Sequence, residues 1–454
     1  MALSRPAARR TIKPRSARSR SAKSADWAFH ARDAQVLDAL ARGGHAASLR
    51  EYFGAPAYAE LSVLAAAAEK SKRSRGRKRS RAHRVLILPG IMGSKLGGQS
   101  RSAAGAKRHG GAFEVLWIDP LQIAPGRLTA LALPSKVQIK PMGVLLFSYA
   151  RLRLKLEIDG YDVDFHSYDW RLGLDELGAK LAARIAADGR TVTLVAHSMG
   201  GLVARSALRV LPKRLVRRLI MLGVPNEGSF APVQALRGTY PFVRNMSRLD
   251  RKHSPEFLAE NVFGTFPGLY HMLPSAQRTA GIDLTNPRSW PADGSAPNPR
   301  LLSQVAASRA GLAAADSRMI QIIGVNQETV VSLRRTARGF RYAMNRNGDG
   351  TVPLALARLP KLKAYYVDES HANLANNSRV IQAILELVRR GRTSVLPQAW
   401  RSRPGVPRHI DDARLRLEGG PKIDWRRLTP AQREAVFAAL DSGRLLPEAA
   451  HPLA

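Results

Sequence analysis

Short unbroken apolar runs alternate with stretches whose apolar residues recur at helical spacing, and this alternation sets the architecture of the chain. Residues 85–88 and 319–325 are apolar runs, 191–195 is an alternating β-branched run and 161–168 alternates apolar and polar residues; these, with 216–222 and 364–367, are expected as strands, with another short one at 341–344. Residues 143–156, 175–187, 202–210 and 380–390 are expected as helices; in the second, Leu177, Leu181 and Ile185 fall on one face. The succession predicts an α/β fold, a mostly parallel sheet flanked by helices, over residues 85–390.

Ahead of that domain, amphipathic patterns at 34–42 and 57–69, broken at Gly43-Gly44 and Gly54-Ala55-Pro56, predict a small helical appendage over 26–70. Residues 1–25 are Arg/Ser/Ala-rich and are expected to form a disordered basic arm, and the Lys/Arg/Ser run at 71–84 a solvated linker. Within the main domain, residues 230–317 turn rich in Pro, Gly and aromatics over a span too long for a simple connection, so an inserted cap or lid is expected there. Residues 99–111 read as a mobile excursion, and residues 391–454 as a C-terminal tail with one helical patch at 430–439.

None of the 454 residues is cysteine, which excludes a disulfide framework, a thiol nucleophile and a cysteine-ligated metal. No apolar run is long enough to span a bilayer and no apolar segment follows the basic start, so a soluble, cytoplasmic protein is expected. The net charge of +37 alters this picture. Residues 1–24 hold eight basic side chains and residues 70–84 nine more, with no acidic ones; removing those seventeen still leaves +20. Such a field attracts anionic lipid surfaces or other polyanions, although a general arginine bias is a simpler source. The basic runs lack interleaved aromatics and no helix-turn-helix, RNP or zinc pattern accompanies them, which disfavours nucleic acid as the main partner. Peripheral contact with an anionic membrane surface is the expectation that remains.

The chemistry gathers around the 191–205 stretch. A β-branched run breaks at His197-Ser198-Met199-Gly200-Gly201 and resumes as a helix, which is the pattern of a nucleophile elbow: a serine on a strained strand-to-helix turn. Small residues are needed because two backbones pass closely, and Ala196 stands where the strict pattern has glycine. A serine nucleophile requires a base and a carboxylate that orients it, in the order Ser, Asp, His for an α/β-hydrolase fold. Asp349, between two glycines, and His371, just past the 364–367 strand, fit that order. His197 is expected to point away from the serine, His271 to lie in the cap as a substrate-facing or exposed residue, and Asp169 precedes the serine, which is the wrong order for the acid. The oxyanion donors are expected to be the amide of Met199 and one from the glycine-bearing loop at 90–93, with Ile91 and Met92 the candidates. The polar loop at 345–349 superficially suggests calcium, but its twelfth position is Leu356 rather than a bidentate glutamate, so no metal or other cofactor is expected. Trp117 and Trp170 are candidate substrate contacts, with a core position favoured for Trp117.

Pro89-Gly-Ile-Met-Gly-Ser94, Tyr168-Asp-Trp-Arg171, Ala196-His-Ser-Met-Gly-Gly201, Gly223-Val-Pro-Asn-Glu-Gly-Ser229, Asn347-Gly-Asp-Gly-Thr-Val-Pro353 and His371 together resemble the lecithin:cholesterol acyltransferase-like family of α/β hydrolases. The resemblance spans about residues 85–390. It implies a triad of Ser198, Asp349 and His371, an oxyanion donor in Ile91–Met92, and a lid over a lipid acyl chain; it sets Asp169-Trp170-Arg171 near the floor of the site in a structural role. Secreted animal members carry disulfides and a signal peptide; this chain has no cysteine and a signal peptide is not expected, so a sterol acceptor is not carried over. The expected activity is that of a lipase, phospholipase or acyltransferase working through an acyl-enzyme. The alternatives are a carboxylesterase or polyester depolymerase on non-lipid esters, and a polyanion-binding protein with an ancillary hydrolase domain.

Overall fold

A computed structural model describes residues 27–75, 82–99, 113–279, 281–403, 405–429, 431–433 and 435–436. The basic arm and most of the 99–111 excursion lie outside these residues.

The central sheet has six parallel strands: β1 (Arg84–Leu88), β5 (Asp162–Phe165), β6 (Val192–His197), β7 (Val216–Leu222), β8 (Met319–Val325) and β11 (Lys363–Asp368), in the spatial order β11-β8-β7-β6-β1-β5. Every residue of β6 and β8 is buried. Helices on both faces produce this, and it explains why these strands are mostly apolar instead of strictly alternating. Helices Leu174–Asp188 and Met199–Val210 pack on each other, and Leu146–Ile158 and Ser378–Arg390 complete the flanking layers. This is the α/β-hydrolase fold.

Two small antiparallel sheets decorate it. The first, in the order β3-β2-β4, joins Phe113–Trp117, Ser94–Gln99 and Ile139–Val144 directly after β1. The second, β12-β10-β9, joins Arg408–Asp411, Gly339–Asn345 and Thr329–Thr336. The strands expected from the hydrophobic pattern do not include β2, β3, β4, β9 and β12; β2 and β4 contain glycine and β12 is polar and largely exposed, while β9 runs from a buried apolar start into exposed arginines.

The amino-terminal appendage is helical: among the described residues four helices are present, Trp27–His30, Asp33–Arg42, Ala46–Phe53 and Ala55–Arg75, and they pack into the hydrolase core. Asp33 accepts a bond from the Val144 amide at 2.9 Å and pairs with buried Lys95 at 3.1 Å. The Tyr52 hydroxyl accepts from the Leu146 amide. Helix Leu146–Ile158 is therefore covered by the appendage and is not on an outer face. The last of the four helices also runs into the supposed linker. Ser71 donates to the Ile158 carbonyl and Lys72 pairs with buried Glu157 at 2.9 Å, so basic residues at the helix end are held by partners on the main domain.

Residues 391–429 are likewise no free tail. β12 pairs with β10, and Asp412 behind it is fully buried against Arg237 of the 230–317 segment at 3.0 Å. Asp412 also accepts from the Tyr342 hydroxyl and the Phe340 amide, while Arg237 donates to the Pro291 and Ser295 carbonyls. A buried ion pair is tolerated only when its remaining donors and acceptors are satisfied in this way. Ile423 and Trp425 bury farther along, and the Ile423 amide donates to the Arg248 carbonyl, so the segment is strapped over residues 230–317.

Candidate active site

Ser198 sits between β6 and helix Met199–Val210 at φ 53 and ψ −128, a conformation strained for any side chain-bearing residue. Its amide donates to the Leu222 carbonyl on β7. A methyl group on Gly200 would lie 2.5 Å from the Pro89 carbonyl oxygen, which is the close backbone passage that the small residues of the elbow serve. The loop after β8 and β10 supplies Asp349, and the loop after β11 supplies His371.

The structure brings these three together. His371 Nδ1 lies 2.7 Å from Asp349 Oδ2, and its Nε2 lies 2.9 Å from Ser198 Oγ. A carboxylate can only accept, so the imidazole donates from Nδ1 and offers Nε2 to the serine hydroxyl. Asp349 is buried, and its other oxygen accepts from the amides of Thr351 and Val352 at 3.0 and 2.7 Å. Both of its oxygens are thereby engaged. Among the described residues no group of three or more His, Cys, Asp or Glu could hold a metal ion.

Beside Ser198 opens a cavity of about 590 Å³. Ile91, Met92, Trp117, Ile118 and Phe147 line one part of it, and Pro232, Ala235, Tyr240, Phe242, Leu269 and Met272 of the 230–317 segment line another. In the loop after β1, the Gly90 amide donates to the Tyr149 hydroxyl and the Gly93 amide to the Gly90 carbonyl, which leaves the Ile91 and Met92 amides as the donors available among the described residues. Met199 is the first residue of its helix, where an amide has no intrahelical acceptor. The Trp117 indole donates to the Met92 carbonyl at 2.8 Å, so this residue both lines the cavity and fixes the loop.

Trp170 does not reach the cavity. Its indole donates to the Ser94 carbonyl at 3.0 Å and its ring packs edge-on against Trp117 and Phe266. The Tyr168 hydroxyl donates to the Pro89 carbonyl, and the Arg171 guanidinium is forked onto Asp169. Residues 168–171 thus brace the 89–94 loop from below. His271 is buried, not exposed, and accepts from the Leu174 amide at 3.1 Å; burial pushes its pKa down to about 4.

His197 does not simply point away from the serine. Its ring lies beside that of His371, 4.8 Å between centroids, and Nε2 is 2.9 Å from the His371 carbonyl oxygen. That oxygen can only accept, so Nε2 carries the hydrogen and Nδ1 must accept from the Tyr149 hydroxyl at 3.0 Å. Burial, with His371 alongside, pushes its pKa down to about 3, in keeping with a neutral ring. One directed chain therefore runs from the Gly90 amide to Tyr149, from Tyr149 to His197, and from His197 to the His371 backbone. Tyr149 had no sequence signal, because it stands in an ordinary helix with no motif around it.

The model of the lecithin:cholesterol acyltransferase family matches residues 140–381, more than half of the chain. The chain belongs to that family. No curated protein matches it in sequence. Among solved structures it is similar to that of the Tle4–Tli4 complex, at 13% identity and TM-score 0.46 over 67% of this chain and 98% of that one. It is also similar to the propeptide form of the Bacillus licheniformis lipase BlEst2, at 16% identity and TM-score 0.33 over 67% and 50% of the two chains. A third is phospholipase PlaB from Legionella pneumophila, at 12% identity and TM-score 0.28 over 67% and 59%.

Proposed function

We propose that this protein is a serine-dependent hydrolase or acyltransferase of lipid esters that works through an acyl-enzyme. The observation that carries the reading is the unbroken hydrogen-bonded chain Asp349–His371–Ser198 at the edge of a largely apolar cavity. In the first step His371 Nε2 takes the hydroxyl proton as Ser198 Oγ attacks the ester carbonyl, while Asp349 stabilises the imidazolium that forms. Charge develops on the carbonyl oxygen, where the Met199 amide and an amide of Ile91 or Met92 are the donors assigned to it; each such donor is worth about 3 kcal/mol in the transition state. His371 then returns the proton to the leaving alcohol and activates water or an acceptor alcohol for the second step.

Residues 230–317 act in this reading as the cap, since they supply much of the apolar wall that holds the acyl chain. The surplus positive charge supports adsorption to an anionic lipid surface, which would weaken as salt is raised. No helix among the described residues is long and apolar enough to cross a membrane. Replacement of Ser198 by alanine tests the assignment: hydrolysis of p-nitrophenyl acyl esters should fall by at least about 10³-fold with the thermal transition retained. Activity that survives in a folded S198A protein would refute it.

A further inference from the structure

We infer that residues 401–409 seat the enzyme on an anionic lipid bilayer with the mouth of the cavity turned toward it. The inference rests on the reading of Ser198 given above and names the surface through which that site meets its substrate. The cavity wall itself locates the mouth, because Glu328 and Gly350 are its exposed members among the described residues. The segment 402–408 is laid along this part of the wall. Arg408 pairs with Glu328 at 2.9 Å, and the Ser402 hydroxyl donates to Asn347 Oδ1 at 3.0 Å. The Arg403 amide donates to Asn326 Oδ1 at 3.1 Å, while its guanidinium pairs with Asp368 at 2.8 Å. These contacts pin the segment beside the loops at 326–328 and 347–350, both of which line the cavity.

The segment presents the chemistry of a bilayer contact to solvent. Val406 is 87% exposed, the most exposed large apolar side chain among the described residues. Arg401, Arg403, Arg408 and His409 are exposed on either side of it in sequence. Arg346, also exposed, joins them in space, since a methyl group on Gly405 would lie 3.5 Å from its Cδ. Arg403 and Arg408 offset the rim carboxylates Asp368 and Glu328, so Arg346 and Arg401 make the rim positive. Peripheral proteins hold an interface with an apolar side chain in the acyl boundary and cations on the lipid phosphates, and binding scales with both contributions. The attraction fades within a Debye length, about 8–10 Å near physiological salt, so only charges on the face turned to the bilayer contribute. The net charge of +37 draws the protein to the surface, and residues 401–409 set which way it then faces. An ester leaving the bilayer enters the cavity beside Glu328.

The test measures co-sedimentation of the full chain with vesicles of dialkyl ether lipids, which carry no ester to consume: phosphatidylcholine with about 30% phosphatidylglycerol, at about 0.1 M salt. Each guanidinium near an anionic surface strengthens binding about fivefold, so Arg346→Ser with Arg401→Ser is expected to raise the dissociation constant at least about tenfold. Val406→Ser is expected to raise it at least about threefold. Arg209→Ser with Arg214→Ser removes the same charge at the opposite end of the sheet, where β7 begins, and should change it less than about threefold. Arg346→Lys with Arg401→Lys keeps both charges and should bind as the native protein does. Hydrolysis of a water-soluble p-nitrophenyl ester, unchanged in all four, reports an intact fold and an intact Ser198. An equal loss from the two arginine-to-serine pairs would overturn the inference, because a general positive field would then account for adsorption. Loss of duplex DNA binding with vesicle binding unchanged would assign the patch to another polyanion and overturn it as well. Native protein that binds the vesicles through this patch but hydrolyses no p-nitrophenyl ester would instead refute the underlying reading of Ser198.

Discussion

Replacing Tyr149 with phenylalanine removes one oxygen and with it the hydrogen bond received from the Gly90 amide at 3.0 Å and the one given to His197 Nδ1 at 3.0 Å. Both groups left behind are buried. An unsatisfied buried polar group costs about 1–3 kcal/mol, so the folded state should lose about 2–4 kcal/mol, the lower part of the summed range because the space of the hydroxyl can admit water. The catalytic effect follows from what each group was holding. Gly90 begins the loop that carries the Ile91 and Met92 amides, and His197 holds the His371 backbone, so both halves of the proposed machinery loosen together. A displacement near 1 Å at reacting groups costs on the order of 10²-fold in rate. In steady-state assays with a p-nitrophenyl ester, kcat should drop about 10–100-fold and KM should change less than about twofold, because the apolar wall is untouched. His197→Gln can still donate to the His371 carbonyl and should retain more kcat than His197→Ala. A folded Y149F enzyme with native kcat, or with its whole loss in KM, would show that the chain from Gly90 to His371 does not position the site.

Three further outcomes are expected. Gly90→Ala places a methyl group 2.9 Å from Ser198 Cβ and 3.3 Å from His197 Nδ1, so kcat should fall on the order of 10²-fold while urea unfolding moves little; unchanged turnover would contradict the geometry. Burial pushes His166, His197 and His271 down to about 4, 3 and 4. The native state therefore keeps them neutral, while the unfolded chain takes up protons below about pH 6.5; stability is full above that pH and falls as acid is added, until the native histidines titrate. At about pH 5 the three together should have removed roughly 4–6 kcal/mol, read as a drop in the urea midpoint relative to about pH 7.5, and a flat profile would refute it. Asp412→Ala leaves Arg237 buried without its main partner and should destabilise by about 3–5 kcal/mol by the same measurement, where a loss below about 1 kcal/mol would show that the strap is dispensable.

The strands whose bounds were legible, 216–222 and 319–325, each carry a long apolar stretch, Leu219–Leu222 in the first and most of the second, where helices cover both faces. Ser94–Gln99 and Arg408–Asp411 form strands without any such run: the first is polar and glycine-bearing although residues 94–98 are buried, and the second is largely exposed and held by its pairing with Gly339–Asn345. At the site, Ser198, Asp349 and His371 stand in loops with local motifs, and the structure places them within hydrogen-bonding distance. Trp170 shows the limit of such reading. Sequence marks an aromatic near the serine, but only packing decides whether its ring faces the cavity or, as here, the floor. Asp412 was lost in an arginine-rich stretch that looks solvated, because its partner is 175 residues upstream.

That separation has a consequence for biosynthesis. At about 5–20 residues per second, Asp412 emerges roughly 10–35 s after Arg237. The six-stranded sheet can be completed only late in that interval, since its last strand ends at Asp368, and until Asp412 arrives the Arg237 guanidinium has Asp293 but not the fully buried carboxylate that completes its pairing. The nascent chain thus passes through a state with a formed elbow and a cap not yet fastened by Asp412 over the cavity beside Ser198. That is the species for which chaperones and proteases compete, and a ribosome stalled before codon 412 would leave it without an exit.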